Sequence, residues 1–176
     1  MKSIKITLFA VTALISSAFT ILSSTNWIVK EDAYKVTFKG PKAEGIFKGL
    51  KATIVFDETN LEKSKFLASI DVNTINTGNG MKNKHAKSED ALNAKQFPNI
   101  VFESTSIVKK GNGYEAIGKL TIKGVARDML LPFTFENKGN EGVFNGNFYV
   151  FSKDFNIKRT GTPEKVEINL MIPVKK

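Results

Sequence analysis

The sequence predicts an all-β protein, an eight-stranded antiparallel barrel with a short helical insertion between strands. Apolar and polar residues alternate with a period of two from Val166 to Val174, which is typical of a strand with one buried face. Seven further stretches have strand-like patterns, and clusters rich in Asp, Asn and Gly separate several of them. Most connections leave no room for a helix, so neighbouring strands are expected to be antiparallel. Closure into a barrel would remove the exposed edges of such a sheet.

Residues 1–24 have the layout of a secretory signal peptide, which leaves residues 25–176 as one folded domain. Lys2 and Lys5 form a basic start, and an apolar stretch at 6–15 is followed by small residues. Cleavage after Ala18 fits the small-x-small rule, and a site as late as residue 25 is also compatible. The alternative is an uncleaved anchor, but the apolar part is short for a membrane-spanning helix of about 20 residues. Both interpretations place the folded domain outside the cytoplasm.

Eight strands are predicted in the rest of the chain, and alternation is clear in several of them. Turn-forming residues at 57–60, 110–113 and 137–140 separate consecutive candidates. An eight-stranded barrel has room for one small or slender ligand. The predicted strands are residues 34–39, 50–56, 66–72, 100–108, 114–122, 129–136, 143–151 and 166–174.

A polar segment at 80–93 interrupts the strand pattern. It is rich in Lys, Ala, Ser and Glu, and the run from Ser88 to Leu92 resembles a helix start. We therefore expect one or two short helices here, lying across one mouth of the barrel.

The composition excludes several classes of function. The chain has no cysteine and one histidine, so disulfides, thiolate chemistry and a closed zinc site of nitrogen and sulfur ligands are excluded. The formal charge is +9, but the basic residues are dispersed and follow no nucleic-acid-binding motif. We expect no nucleic-acid partner, and a peripheral contact with a membrane surface is one interpretation of the charge.

The sequence also predicts a protein that is not an enzyme and has no cofactor. A Ser-His-Asp triad would need His85, yet no nucleophile elbow of the form G-x-S-x-G occurs. Adjacent carboxylates such as Glu89 and Asp90 are ordinary on a solvated helix. No phosphate-binding loop or dinucleotide fingerprint is present.

Three groups of residues together resemble the YceI-like family. The first is VNTINTGN at 72–79, followed by His85 and then FPNIVFEST at 97–105. The second is GKLTIKGV at 118–125, which leads to the pair Leu131-Pro132. The third is SKDFNI at 152–157. These groups occur in the family's order, and the resemblance extends from Trp27 almost to the C-terminus.

The resemblance implies a lipocalin-like antiparallel barrel around an elongated apolar tunnel, without catalytic activity. It also implies an isoprenoid lipid or isoprenoid quinone as ligand and a location in the bacterial periplasm, or secretion. The sequence departs from the family pattern at some positions. Lys82 and Asn83 occupy positions where Arg-Asp is common before the histidine, and Ala86 follows the histidine where Leu is common. In the last motif, Asn156 occupies a position where Gly is usual, and Lys153 lies in the short polar run.

The period-two pattern nominates apolar residues that would face the barrel interior and contact a lipid tail. The alternative is that they pack against one another and leave no tunnel. The inward-facing candidates are Val36, Phe38, Ile54, Phe56, Phe66, Ile70, Val72, Phe102, Leu120, Phe133, Phe135, Phe148 and Ile168.

His85 has two interpretations. It could form a hydrogen bond with a ligand head group, or it could have a structural role, as a solvated loop residue or as one that fixes the insertion to the barrel rim. The sequence favours the structural role.

The predicted function is an exported protein that sequesters or carries an isoprenoid-type amphiphile. Three alternatives stay open: a carrier of a fatty acid or amide-type amphiphile, an envelope docking protein with a solid barrel, and a hydrolase or isomerase that uses His85. Whether two barrels form a homodimer is also open.

Overall fold

The computed structural model describes residues 26–176, so the predicted signal peptide at 1–24 lies outside the described residues. Within this part of the chain, no helix is long and apolar enough to cross a membrane.

Ten strands and one short α-helix make up the described chain. The helix α1 spans Gly80–Lys87, and short 3-10 helices occur at Leu61–Lys63, Val72–Thr74 and Ser152–Phe155. The strands are β1 (Asn26–Val29), β2 (Lys35–Gly40), β3 (Ala43–Phe47), β4 (Leu50–Val55), β5 (Lys65–Asp71), β6 (Asn99–Lys110), β7 (Gly113–Ile122), β8 (Val125–Lys138), β9 (Glu141–Phe151) and β10 (Lys165–Lys175).

Eight of these strands form a closed antiparallel barrel in the order β1-β4-β5-β6-β7-β8-β9-β10, because β1 pairs with both β4 and β10. The prediction of an eight-stranded antiparallel barrel is therefore confirmed. Seven of the predicted strands correspond to β4–β10. The eighth corresponds to β2, which is not one of the eight strands that close the ring and pairs instead with β10 and β3. The short strands β1 and β3 were not predicted.

One edge of β10 is shared between two partners. Near its C-terminal end it pairs with β1, through Ile28 with Lys175. Nearer its N-terminal end it pairs with β2, through Ile168 with Phe38. The hairpin β2–β3 thus continues the barrel wall beyond the end of β1. The Leu50 amide donates a hydrogen bond to the Tyr34 hydroxyl at 3.0 Å, which connects the start of this hairpin to β4.

Aromatic side chains fill the barrel end that holds β1. Phe56 is 2% exposed and forms the centre of this cluster. Its ring lies with centroids 5.1 Å from Tyr114 and 5.2 Å from Phe135, both in edge-to-face geometry. Trp27 covers the cluster, with its ring centroid 5.0 Å from that of Phe135. We call Trp27, Phe56, Phe66, Tyr114, Phe133, Phe135 and Phe144 the aromatic plug.

The helical insertion exists, but its predicted start was wrong. The helix begins at Gly80 because the Asn79 side chain accepts a hydrogen bond from the Lys82 amide at 3.0 Å. Ser88, predicted as a start, instead follows the last turn, and its amide binds the His85 carbonyl. Residues from Ser88 onward form turns rather than a second α-helix.

Candidate functional site

A cavity of about 510 Å³ lies inside the barrel between the aromatic plug and the opposite end. The exposure of β10 shows where it begins. Ile172 and Val174 are buried, whereas Val166, Ile168 and Leu170, on the same face of the strand, are only half-buried and line the cavity. Inward-facing apolar side chains remain accessible here because no other side chains fill the space in front of them.

The structure brings most of the predicted site residues together around this cavity. Phe66 and Phe133 also belong to the aromatic plug, so they form the floor. The predicted residues that line the cavity are Val36, Phe38, Ile54, Phe66, Ile70, His85, Phe102, Leu120, Phe133, Phe148 and Ile168.

Three predicted residues do not line the cavity. Phe56 and Phe135 belong to the aromatic plug, where other rings cover them. Val72 is 1% exposed, and it follows the last residue of β5. There the Asp71 side chain accepts a hydrogen bond from the Asn73 amide at 2.8 Å and starts a 3-10 turn. The turn ends the period-two alternation on which the prediction for Val72 depended.

Sequence reasoning missed other cavity-lining residues. Some lie on β3 or in the insertion, where no strand alternation was recognised. Others are small residues on β4 and β5, which a search for large apolar side chains does not find, such as Ala52 and Ala68, which face each other across the two strands. The missed apolar residues include Ala43, Phe47, Leu50, Ala52, Ala68, Ile75, Ala86, Leu92, Ile157 and Leu170.

Polar groups gather at the open end of the cavity. Lys42 comes from the turn between β2 and β3, Lys82 and His85 come from α1, and Arg159 comes from the loop before β10. The side chains of Lys42, Lys82 and His85 are exposed. The cavity therefore has an apolar wall, an aromatic floor and a basic mouth.

The insertion is attached to the rest of the mouth by side-chain contacts. The Arg159 guanidinium donates to the Asp90 carboxylate at 2.7 Å, which joins the insertion to the loop before β10. The Thr77 hydroxyl donates to the Asn83 side chain at 2.7 Å and holds the first turn of α1. The Ser88 hydroxyl, and then Arg159, keep the pKa of Asp90 below its ordinary value.

The other carboxyl groups with a shifted pKa lie away from the cavity. Hydrogen bonds from the Thr59 side chain and amide lower the pKa of Asp57 in the turn after β4. Lys119 lowers the pKa of Asp128 on the outer surface. Within residues 26–176, no cluster of His, Asp and Glu side chains is arranged to hold a metal ion.

The model of the YceI-like domain family matches residues 27–174. This chain belongs to the YceI-like family. The match covers all ten strands except the first residue of β1 and the last of β10. The resemblance inferred from the sequence motifs is therefore confirmed.

Curated relatives include UPF0312 proteins of Yersinia. One from Yersinia pestis is 32% identical over 136 residues, which cover 74% of this chain and 71% of the relative. One from Yersinia enterocolitica is 31% identical over the same shares.

Solved structures with the same fold include BcnA of Burkholderia cenocepacia, with a TM-score of 0.78 and 27% identity over 83% of this chain and 99% of that one. A polyisoprenoid binding domain from Saccharophagus degradans has a TM-score of 0.65 and 11% identity, covering 85% of this chain and 97% of that one. At that identity, the similarity to the Saccharophagus domain shows the fold alone.

Proposed function

We propose that this protein binds the tail of an isoprenoid-type amphiphile in the barrel cavity and sequesters or carries it. The observation that carries this proposal is the combination of a hollow apolar wall with basic side chains at one mouth. The volume of about 510 Å³ lies within the range of pockets that enclose most of a small ligand. The polyisoprenoid binding domain with the same barrel fold supports an isoprenoid tail.

The energetics of such binding are those of apolar burial. Each methylene that moves from water into the cavity contributes about 0.8 kcal/mol. The wall offers branched aliphatic and aromatic side chains, such as Ile70, Leu120 and Phe148, which contact a methyl-branched chain without requiring hydrogen bonds. The loss of translational and conformational freedom offsets part of this gain.

The proposal describes a non-catalytic carrier outside the cytoplasm. The signal-like pattern of residues 1–24 supports export to the periplasm or secretion. His85 lies on α1 at the mouth, with its side chain exposed rather than packed against a nucleophile. That position supports a role in entry or head-group contact.

The alternative of a docking protein with a solid barrel has less support. A solid barrel would bury the inward face of β10 along its whole length, whereas Val166, Ile168 and Leu170 are accessible from the cavity. A fatty acid would use the same wall, so the choice between it and a prenyl tail is left to experiment.

Native mass spectrometry with organic extraction tests the proposal. The full chain is expressed with its own leader and recovered from the periplasm, and a stoichiometric prenyl lipid or quinone is expected in the extract. A fatty acid in the same amount would replace the prenyl assignment. Lipid-free protein whose melting temperature does not change with added prenyl lipids would overturn the proposal.

A matched pair of variants tests whether the cavity is the binding site. Ala52→Phe adds a ring inside the cavity, whereas Thr53→Phe adds the same ring to the exposed face of the same strand. We expect Ala52→Phe to lose the lipid and Thr53→Phe to keep it. Equal lipid content in two folded variants would place the binding site elsewhere.

A further inference from the structure

We propose that the mouth of the barrel selects amphiphiles whose head group is an anion, a phosphate or a carboxylate, over neutral ones such as quinones or alcohols. This inference rests on the proposed function, because it names the class of head group for the same cavity. It depends on the charges around the mouth rather than on the apolar wall.

All charged side chains that line the cavity are basic. Lys42, Lys82 and Arg159 line it, and no Asp or Glu among the described residues does. Acidic residues are not scarce in the protein, which has 17 of them. Because no acidic residue of the described chain lines the cavity, all the charged groups in its lining are positive. Asp90 lies outside the lining, where it contacts Arg159.

Lys42 and Lys82 approach the mouth from separate elements. Lys42 lies in the tight turn between β2 and β3, and Lys82 lies in the first turn of α1. In residues 26–176, neither ammonium group lies within 4.0 Å of a carboxylate. Both charges are therefore available to a ligand without the loss of an existing ion pair.

Arg159 differs because it already binds Asp90 at 2.7 Å. Asp90 does not line the cavity, so it faces Arg159 from the insertion rather than from the lipid path. This pair fixes the position of the guanidinium, and the Asp90 carboxylate offsets its positive charge. The uncompensated positive charge at the mouth is thus that of Lys42 and Lys82.

Neutral donors complete the site for an oxygen-rich anion. Thr160 and Thr162, in the loop that carries Arg159, line the same cavity. Hydroxyl groups can donate to phosphate or carboxylate oxygens. A cleft lined by one sign of charge next to a low-dielectric wall concentrates the field on an entering anion. A neutral quinone or alcohol gains little from this field.

Binding assays with a shared tail isolate the head group. Farnesyl phosphate, farnesoic acid and farnesol are titrated into the full-length protein below their critical micelle concentrations. We expect the phosphate or the carboxylate to bind about tenfold more tightly than farnesol at low salt, with the difference shrinking as salt is added. The stronger of the two anions identifies which head-group chemistry the mouth prefers.

The double variant Lys42→Gln with Lys82→Gln tests the assigned residues. It is expected to remove most of the difference in affinity between the anions and farnesol. The matched control is Lys51→Gln with Lys84→Gln, which removes the same charge from exposed lysines that do not line the cavity. This control should keep the preference.

The outcomes separate this inference from the proposed function. Binding of farnesol and both anions with equal affinity, unaffected by the lysine variants, overturns the anionic mouth and leaves the lipid cavity intact. Binding of none of the three overturns the proposed function itself. Inorganic phosphate that binds as tightly as farnesyl phosphate would also overturn the inference, because the site would then recognise a free anion without a tail.

Discussion

The indole N–H of Trp27 donates a hydrogen bond to the backbone carbonyl of Phe56 across 3.0 Å, within the buried part of the protein. Trp27 comes from β1, and Phe56 follows the last residue of β4. The bond therefore fastens the shortest strand of the barrel to the ring at the centre of the aromatic plug. Trp27, the single tryptophan, therefore has a structural role at the closed end of the cavity.

The variant Trp27→Phe tests this structural role. The variant keeps an aromatic ring but leaves the Phe56 carbonyl without its donor, so we expect a loss of about 1–3 kcal/mol in the free energy of unfolding. Urea unfolding followed by circular dichroism measures it, with Tyr149→Phe, at an exposed ring on β9, as the control. A midpoint equal to that of the control would show that the hydrogen bond contributes nothing measurable.

Ser104, a buried residue on β6, also forms a hydrogen bond that connects two strands. The Phe66 amide donates to the Ser104 hydroxyl at 2.8 Å, where the β6–β7 pairing shifts register between Ser104 and Ser106. Ser104→Ala removes the acceptor at a site that is 3% exposed, and we expect a loss of about 1–3 kcal/mol. Ser106→Ala, on the exposed side of the same irregularity, should change stability by less than about 0.5 kcal/mol.

Gly118 occupies a position where no side chain fits. A Cβ atom added there would lie 2.2 Å from the Glu103 carbonyl oxygen and 2.7 Å from the Ser104 Cα. Both obstacles are backbone atoms, so Gly118→Ala should destabilise the fold by more than about 3 kcal/mol or prevent folding.

The control for this substitution is Gly80→Ala in the first turn of α1. Nothing lies within 4 Å of an added Cβ at Gly80, and helix propensity favours alanine. Thermal melting should show no loss for Gly80→Ala. A Gly118→Ala protein with the same melting temperature would contradict the close packing of β6 against β7.

The contact between the insertion and the loop before β10 should weaken at low pH. Hydrogen bonds from Ser88, and then Arg159, hold the pKa of Asp90 below its ordinary value of 3.8. The carboxylate is thus favoured in the folded state. Its stabilising contribution is fully present above pH 3.8 and is lost as the pH falls through the lowered pKa.

Amide hydrogen exchange of α1 measures that dependence. We expect the protection factors of α1, which are corrected for the intrinsic pH dependence of amide exchange, to fall as Asp90 becomes protonated, and Arg159→Gln should produce part of the same decrease at neutral pH. Asp128 on the outer surface, whose pKa is lowered by Lys119, serves as the control, and Asp128→Asn should leave the protection factors of α1 unchanged. Exchange of α1 that does not respond to Arg159→Gln would show that the ion pair does not hold the insertion.

Strand alternation predicts most of this barrel because the long strands place apolar side chains on their inner face. The same rule misses β1 and β3, since four and five residues contain too few alternations to recognise. The turn Pro41-Lys42 next to Gly40 was the available signal for β3.

Alternation also cannot separate a hollow from a solid interior. Phe56 and Ile54 share one face of β4 and its extension, yet only Ile54 lines the cavity. The difference depends on which rings approach from other strands, and that information is absent from a local pattern. The basic mouth could not be predicted from sequence either, because Lys42 and Lys82 are far apart in the chain and line the same cavity only in the folded protein.

The shared edge of β10 has a consequence for how the molecule assembles. The ring closes only when Ile28 and Val29, near the start of the described chain, meet Val174 and Lys175 near its end. Contacts this distant in sequence close a long loop, and the entropy of that closure slows folding. Without this pairing the eight strands would form an open sheet with two unprotected edges, and the lipid path would be a groove rather than a tunnel. A nascent chain that lacks β10 therefore has no enclosed interior in which to hold a lipid.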